Sequence, residues 1–364
     1  MSNANWLSTI DGSKTLNQIT LPGSHDAGVY SDTTVTGSHK DITMLTSGVS
    51  PDRVRCQSLS ILNQAVAGSR FFDCRVYLRS FPLKKVVDGK VTKEQKVPTL
   101  GHFFMDTKEG VGGGYGGSLL TVINDAISFV RSHQSEFIIL RFSHTKCTDE
   151  VADMLEMVYD SHDNYNYIFA GDVNIAQARI SDLRGKVIMV FDGKFNKQRL
   201  PSYQVKKTFQ FMRSVQHKAG RGLSSKGMHL FSKFDAGKAS GNGLCTCGGF
   251  ASSDDIKDVY KKSIEAVKKH LDHGNDHLCF VYWQLTGGKV QSNTMNETTG
   301  THARLDGFID DVVRAALASG NFPNVISHDF VSEDSCSQII AMNNDRKALM
   351  AKVIAADINA QRAK

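Results

Sequence analysis

Residues 118–144 read SLLTVINDAISFVRSHQSEFIILRFSH and contain the two element types that decide the fold. Over residues 118–132 the apolar side chains recur at helical spacing, which predicts an amphipathic helix. Over residues 136–144 the apolar residues run almost without a break and end in polar ones, as in a strand that is buried on both faces. A helix that leads directly into such a strand is typical of parallel α/β folds.

The same alternation continues along the chain. Strands are predicted at residues 17–25, 69–76, 97–104, 136–144, 186–191, 208–215, 227–234, 277–286 and 324–331. Helices are predicted at residues 118–132, 148–160, 254–272, 302–318 and 337–357. Asp88-Gly89, within a lysine-rich stretch, predicts a surface hairpin. The glycine run at 110–117 lacks the order of a nucleotide-binding loop and predicts a flexible loop.

This organisation favours one closed barrel over an open sheet, because seven or eight strand–helix units fit into about 330 residues. The sequence shows no linker and no internal repeat. We therefore predict a single α/β domain over residues 1–364, a distorted parallel (β/α) barrel of the TIM type that ends in a helix at about 337–357.

The composition is that of a globular protein, with 40% hydrophobic and 22% charged residues. This excludes a disordered chain, a collagen-like repeat and a membrane bundle. No apolar run approaches the roughly 20 residues of a spanning helix. Residues 1–6 show no secretory signal. We therefore expect a cytoplasmic or peripheral membrane location, with secretion by a non-classical route left open.

The charges and cysteines further restrict the classes of partner and the cell compartment that the sequence predicts. The net charge of +6 is spread along the chain, whereas nucleic-acid proteins often concentrate it in one stripe, so we expect no nucleic-acid partner. The seven cysteines form no regular disulfide framework, which favours a reducing compartment. Cys245-Thr-Cys247 is too close for ordinary zinc spacing, and residues 195–250 receive no role. We expect a monomer without metal or cofactor.

Polar residues collect where the predicted strands end, which in a parallel barrel is the side that carries the active site. The candidates are His25, Asp26, Asp73, Arg75, His102, Arg141, His144, Tyr282, Gln284, His328 and Asp329. Two histidines can divide proton transfer, since imidazole titrates near neutral pH, and each needs a carboxylate to fix its tautomer. Asp73 and Arg75 share one face of their strand, where the guanidinium suits a phosphate. Together these groups suit phosphodiester cleavage by an internal hydroxyl.

The same residues carry a resemblance to a known family. Leu21–Gly28 (LPGSHDAG), Gly68–Val76 (GSRFFDCRV) and Gly101-His102 resemble, in order, the signatures of phosphatidylinositol-specific phospholipase C catalytic (X) domains. Residues 55–61, 136–144 and 328–331 resemble the branch that cleaves glycosylphosphatidylinositol (GPI) anchors or consists of the X domain alone. The matches span about residues 17–331.

The resemblance implies a distorted (β/α) barrel and a role for each matched residue. His25 would be the general base for the inositol 2-hydroxyl, oriented by Asp329, and His102, supported by Asp26, would protonate the departing diacylglycerol oxygen. Arg75 would stabilise the phosphate in place of the metal of the calcium-dependent branch, which implies metal independence. The products would be diacylglycerol and inositol 1,2-cyclic phosphate.

Head-group contacts are the weakest part of the match. Arg141, His144, Tyr282 and Gln284 are substrate-binding candidates by position, and Phe103, Phe104 and Tyr115 are candidates for lipid contact at the rim. The expected partner is phosphatidylinositol or a GPI lipid at a membrane surface.

Three alternatives remain at this stage. A GPI-anchor phospholipase C would use the same residues. A magnesium-dependent barrel enzyme of the glycerophosphodiester phosphodiesterase or sphingomyelinase D type would need a cage of carboxylates. A lipid-binding module with a silent site is disfavoured, because the two histidines and their acidic partners are present together.

Overall fold

A computed structural model gives the conformation of most of the chain. It describes residues 2–30, 43–44, 54–87, 90–103, 113–143, 151, 154–155, 157–158, 162–192, 228–233, 240–249, 256–271, 276–284, 302–317, 322–344 and 346–362. The predicted strand at 208–215, His144 and Phe104 lie outside these residues, as does most of the predicted helix at 148–160.

The strands form one mixed sheet whose main part is parallel. They are β1 (Leu21–Ser24), β2 (Thr43–Met44), β3 (Phe71–Val87), β4 (Lys90–Phe103), β5 (Gly113–Ser118), β6 (Phe137–Ser143), β7 (Lys186–Asp192), β8 (Met228–Lys233), β9 (Leu244–Gly249), β10 (Leu278–Trp283) and β11 (Val325–His328). The parallel pairings run β1-β11-β10-β9-β8-β7-β6-β3. Gly23 and Ser24 of β1 also pair with Phe71 and Phe72 of β3, which joins the ends of this series. The predicted distorted parallel barrel is thereby confirmed.

Helices cover the outer face of the barrel. They are α1 (Ile61–Ala67), α2 (Leu119–Ser132), α3 (His162–Tyr165), α4 (Ile180–Leu183), α5 (Ile256–Leu271), α6 (His302–Ala316), α7 (Glu333–Ala341) and α8 (Arg346–Arg362), with 3₁₀ helices at Asn3–Thr9, Leu16–Gln18 and Ile175–Gln177. The helix predicted at 118–132 is confirmed as α2, which begins at a Ser118 cap. In the described part of the chain no helix is long and apolar enough to cross a bilayer.

Strand alternation separates two apolar layers. On β3, Phe71 packs with residues of the barrel interior, whereas Phe72 and Cys74 pack with α2 on the outside. Asp73 and Arg75 share the face of Phe71, because side chains two and four positions apart point the same way. The predicted placement of both polar side chains on one face is therefore confirmed, and that face is the interior.

The prediction that residues 97–104 form a parallel barrel strand is wrong. β4 pairs antiparallel with β3, from Val76 opposite Leu100 to Val87 opposite Lys90. Only residues 88–89 connect the two strands, whereas a parallel crossover needs about a dozen residues or more. The register still brings His102 back beside the end of the barrel portion of β3, since Leu100 lies opposite Val76.

Glycines allow the next strand to approach the barrel mouth, which corrects the prediction of a flexible loop over residues 113–117. β5 pairs antiparallel with β4, and the N–H of Gly117 donates to the carbonyl of Gly28 at 2.8 Å. A Cβ atom at Gly116 would overlap that same carbonyl oxygen. β5 therefore packs directly on the loop that follows β1.

Two further expectations need correction. The single helix predicted at 337–357 is divided into α7 and α8, because Asn343 bonds the backbone of Thr20 through both of its amide atoms instead of continuing a helix. Residues 244–249 form β9, although no strand was predicted there. The Gly248-Gly249 end of that strand and its two cysteines hide the usual alternation of apolar and polar residues.

Candidate active site

His25 and Asp329 form a buried pair at the carboxyl ends of two neighbouring strands. β1 and β11 are in register, with Ser24 opposite His328, so the residues that follow each strand lie side by side. The Nδ1–H of His25 donates to Oδ1 of Asp329 at 2.7 Å, and both side chains are almost fully buried. This bond fixes the tautomer of His25 and leaves its Nε2 atom free of a proton.

Gln57 holds the two loops that carry this pair. Its side-chain amide donates to the carbonyls of His25, at 2.9 Å, and His328, at 3.3 Å. Its carbonyl oxygen accepts from the backbone N–H of Val331 at 2.9 Å. One buried side chain therefore sets the spacing of the loops on which the His25–Asp329 bond depends.

Asp26 and Arg75 place opposite charges beside Nε2 of His25. Nε of Arg75 lies 2.7 Å from Oδ1 of Asp26 and 3.8 Å from Oδ2 of Asp73. The Nη2 group of Arg75 donates to Nε2 of His25 at 3.0 Å. Asp26 has a positive φ of 40°, a conformation that non-glycine residues adopt rarely and mostly where the surroundings impose it. Arg75 is the more exposed member of the pair, so its guanidinium borders the open side of the site.

His102 faces the same carboxylate from the hairpin. Its Nε2 atom lies 3.8 Å from Oδ2 of Asp26, and its Nδ1–H donates to the carbonyl of Val54 at 3.1 Å. The rings of His25 and His102 have centroids 6.3 Å apart and are inclined at 77°. The structure thus brings together the two histidines that sequence analysis placed at one site.

Burial and neighbouring charges separate the proton affinities of the two imidazoles. Burial lowers the pKa of His25, but the carboxylates of Asp26 and Asp329 outweigh it and raise that pKa above its usual value. Burial lowers the pKa of His102 to about 4, and the charges of Arg75 and His25 act in the same direction against Asp26. Burial also raises the pKa of Asp329 to about 6, although its pairing with His25 opposes the change. His25 is therefore the stronger base of the two, and protonated His102 is the stronger acid.

A second polar group lies next to Arg75 inside the barrel. Asp73 is in register with Arg141 on β6, and its Oδ1 atom lies 3.6 Å from Nη1 of Arg141. Nη1 of Arg141 donates to the hydroxyl of Tyr282 at 2.9 Å, and the hydroxyl of Ser143 donates to Asp73 at 2.7 Å. Arg141 and Tyr282 are thus joined to the catalytic candidates through Asp73.

The remaining candidates have different surroundings. Gln284 directly follows β10 and is buried, and neither of its side-chain polar atoms has a hydrogen-bond partner among the described residues. Phe103 packs on Tyr115 and Tyr77, with ring centroids 5.2 and 4.5 Å apart. Since His102 precedes Phe103, this aromatic cluster adjoins the site. His144 and Phe104 lie outside the described residues.

Cys56 is a site residue for which sequence analysis found no role. Its thiol lies 3.4 Å from Nδ1 of His102 and 3.9 Å from Oδ2 of Asp26. The thiol, His25 and Asp26 are close enough for a metal ion to contact all three, but Arg75 already supplies positive charge to Asp26. Cys56 and Gln57 both lie in the segment 55–61 that resembles the family, and that match was the only signal for them.

Known proteins resemble this chain in sequence and in fold. No protein-family model matches the chain. A 1-phosphatidylinositol phosphodiesterase of Staphylococcus aureus (strain Newman) is 23% identical over 303 residues, which cover 80% of this chain and 78% of that protein. The chain is thus a homologue of 1-phosphatidylinositol phosphodiesterases. The resemblance to the GPI-cleaving branch remains a prediction.

Solved structures of these phospholipases share the fold. The phosphatidylinositol-specific phospholipase C of Listeria monocytogenes superimposes with a TM-score of 0.55 and 16% identity, over 95% of this chain and all of that one. The S. aureus enzyme, in a structure that concerns modulation of its membrane binding, gives a TM-score of 0.53 and 18% identity, over 94% and 98% of the two chains. Both agree with a distorted barrel, in line with the strand pairing of this chain.

Proposed function

We propose that this protein is a phosphatidylinositol-specific phospholipase C, a phosphoric diester lyase that acts at a membrane surface. The observation that carries the proposal is the convergence of His25, His102 and Arg75 on one carboxylate, Asp26, at the mouth of the barrel. The proposal also rests on the homology with 1-phosphatidylinositol phosphodiesterases of S. aureus.

The first half of the reaction is assigned to His25. Its Nε2 atom takes the proton of the inositol 2-hydroxyl, and the resulting oxygen attacks the phosphorus of the same head group. Asp329 stabilises the imidazolium that forms, as a buried carboxylate does in other base–carboxylate pairs. The raised pKa of His25 supports this role, because it makes the ring a stronger base.

The second half is assigned to His102 and Arg75. As the phosphorus–oxygen bond to diacylglycerol breaks, Nε2 of His102 donates a proton to the departing oxygen, which leaves inositol 1,2-cyclic phosphate. Nη2 of Arg75, now 3.0 Å from Nε2 of His25, turns to the non-bridging oxygens of the phosphate. A pKa of about 4 makes protonated His102 a strong acid, and the anionic phosphate raises the fraction of His102 that carries a proton.

The proposal includes no metal ion. Arg75 lies within 4 Å of both Asp26 and Asp73, and its guanidinium supplies positive charge to the two carboxylates that a cation would otherwise use. Head-group binding is assigned to Arg141, Tyr282 and Gln284. The amide of Gln284, buried without a partner among the described residues, is suited to hydrogen bonds with inositol hydroxyls.

The test is cleavage of phosphatidylinositol vesicles beside phosphatidylcholine vesicles, with a GPI-anchored reporter as a third substrate. We expect release of diacylglycerol from phosphatidylinositol, and a loss of about 10²- to 10⁴-fold in kcat for His25→Ala or His102→Ala. His133→Ala is the matched control, since His133 caps α2 and bonds Phe129 away from the site. Equal kcat in parent and either catalytic variant would contradict the mechanism, and release of the reporter alone would favour the GPI-anchor enzyme.

A further inference from the structure

Three metal-ligating side chains, Cys247, His270 and His277, meet on the outer face of the barrel, and Cys279 lies beside them. Cys247 lies on β9 and Cys279 on β10, and the two residues are partners in the strand register. His270 lies in the last turn of α5, and His277 directly precedes β10. All four residues are buried. They bring together α5 and two neighbouring strands that the catalytic residues do not use.

The distances in this cluster fit a tetrahedral site. Nδ1 of His270 lies 3.6 Å from Sγ of Cys247 and 3.0 Å from Nε2 of His277. Around a tetrahedral zinc ion, with bonds of about 2.0–2.1 Å to nitrogen and about 2.3 Å to sulfur, neighbouring N and S atoms lie about 3.6 Å apart and two N atoms about 3.3 Å apart. Both distances at His270 lie within a few tenths of an ångström of these tetrahedral values.

The surroundings orient the ligands as they do in known metal sites. The Nδ1–H of His277 donates to Oδ1 of Asp276 at 3.1 Å, which leaves Nε2 of His277 directed at the cluster. Asp276 is itself held by the backbone N–H of Ser240 at 3.0 Å. A histidine that donates its second nitrogen to a carboxylate is the common outer arrangement of zinc ligands.

We propose that Cys247, His270 and His277 bind one structural zinc ion, and that Cys279 supplies the fourth ligand once its thiol turns from the Ala266 carbonyl, 3.7 Å away, to the ion. Four protein ligands leave no open position for substrate, which is typical of structural rather than catalytic zinc. The site is separate from the catalytic one. His277 precedes β10 whereas Gln284 follows it, and the six residues of β10 that lie between them span roughly 20 Å. Cys247 and Cys279 also lie on the outer face, opposite the interior face of Tyr282. The ion would fasten the end of α5 to β9 and β10.

The test is the metal content of the full-length protein, purified without chelator and measured by inductively coupled plasma mass spectrometry. We expect one zinc per chain in the parent, less than a tenth of that in Cys247→Ser and His277→Ala, and full content in the matched control Cys245→Ser. Zinc content in the parent no higher than in Cys247→Ser would overturn the proposal. So would a Cys247–Cys279 disulfide, found by peptide mapping of the protein purified without reductant.

A second measurement uses only the parent chain and so does not depend on variants that fold. Cobalt added to the chelator-treated protein should give the visible absorption of a tetrahedral ion and a thiolate-to-metal band in the near ultraviolet. Zinc should then displace the cobalt and raise the midpoint of thermal unfolding. An octahedral cobalt spectrum without the thiolate band would overturn the proposal, and it would leave the phospholipase proposal intact.

Discussion

The substitution Asp329→Asn separates the charge of Asp329 from its shape. The amide oxygen of asparagine can still accept the Nδ1–H of His25, which the carboxylate now holds at 2.7 Å. The tautomer is therefore kept, but the imidazolium formed during catalysis loses one of its two stabilising carboxylates. A hydrogen bond to a charged group contributes about 1.5–3 kcal/mol, which corresponds to a loss of about 10- to 150-fold in kcat.

The pH profile provides a more specific readout. Asp26 and Asp329 together raise the pKa of His25 against burial, so removal of one charge lowers that pKa. The base acts in its unprotonated form, and the acid-side limb of kcat/KM should therefore move to lower pH. The fold should tolerate the change, because burial raises the pKa of Asp329 to about 6, so that its charge at neutral pH costs the folded state free energy that a neutral amide avoids.

The assay is steady-state hydrolysis of phosphatidylinositol in mixed micelles between pH 4 and 9, with thermal unfolding of each variant measured alongside. Asp311→Asn is the control, since it makes the same substitution in an exposed ion pair with Arg314 on α6, outside both sites; it should leave kcat within about twofold. A parent-like kcat for Asp329→Asn, or a limb that does not move, would refute the assigned role of Asp329.

Three further changes test other parts of the account. Arg75→Lys should lower kcat about 10²- to 10³-fold with little change in KM, because one ammonium cannot replace the donors that reach Asp26 and His25. Steady-state kinetics that show an effect on KM alone would contradict this. Gly116→Ala should lower the free energy of unfolding, measured in urea, by about 1–3 kcal/mol, since the added Cβ overlaps the Gly28 carbonyl. The control Gly241→Ala should change this free energy little, because the space around Gly241 is open. Burial lowers the pKa of His328 to about 4 in the fold from 6.5. As the pH falls from 6.5 to 4, the free energy of unfolding of the parent should therefore fall by up to about 3 kcal/mol more than that of His328→Gln. If urea titrations show the same fall for both proteins, His328 is not buried in its neutral form.

The candidate catalytic residues could be placed from the sequence because each signal is local. His25-Asp26 and Asp329 follow single strands, and the alternation along residues 71–75 fixes which side chains face inward. His102 was assigned to the right site but to the wrong kind of strand. Only two residues separate Val87 of β3 from Lys90 of β4, which leaves room for antiparallel pairing alone, and the return of His102 depends on contacts between β4, β5 and the loop after β1.

Other features depend on contacts that no local pattern reveals. Gln57 acts through two loops whose backbone carbonyls come together only in the folded barrel. The Cys247 cluster joins residues from β9, α5 and β10, and its spacing along the chain matches no common zinc motif. For Cys245-Thr-Cys247 the sequence showed only a spacing too close for an ordinary zinc motif, because the partners proposed for Cys247 are remote in sequence. The division of the C-terminal helix likewise follows from the bond of Asn343 to Thr20, which is remote in sequence.

Phosphorus NMR of the reaction on phosphatidylinositol, run in excess EDTA below the unfolding temperature, tests the central claim most directly. Attack by the inositol 2-hydroxyl under His25 and His102, with Arg75 in place of a metal, predicts the resonance of a five-membered cyclic phosphodiester at undiminished rate. A phosphomonoester that forms without this intermediate, or activity that is lost in EDTA and restored by magnesium or calcium, would contradict it.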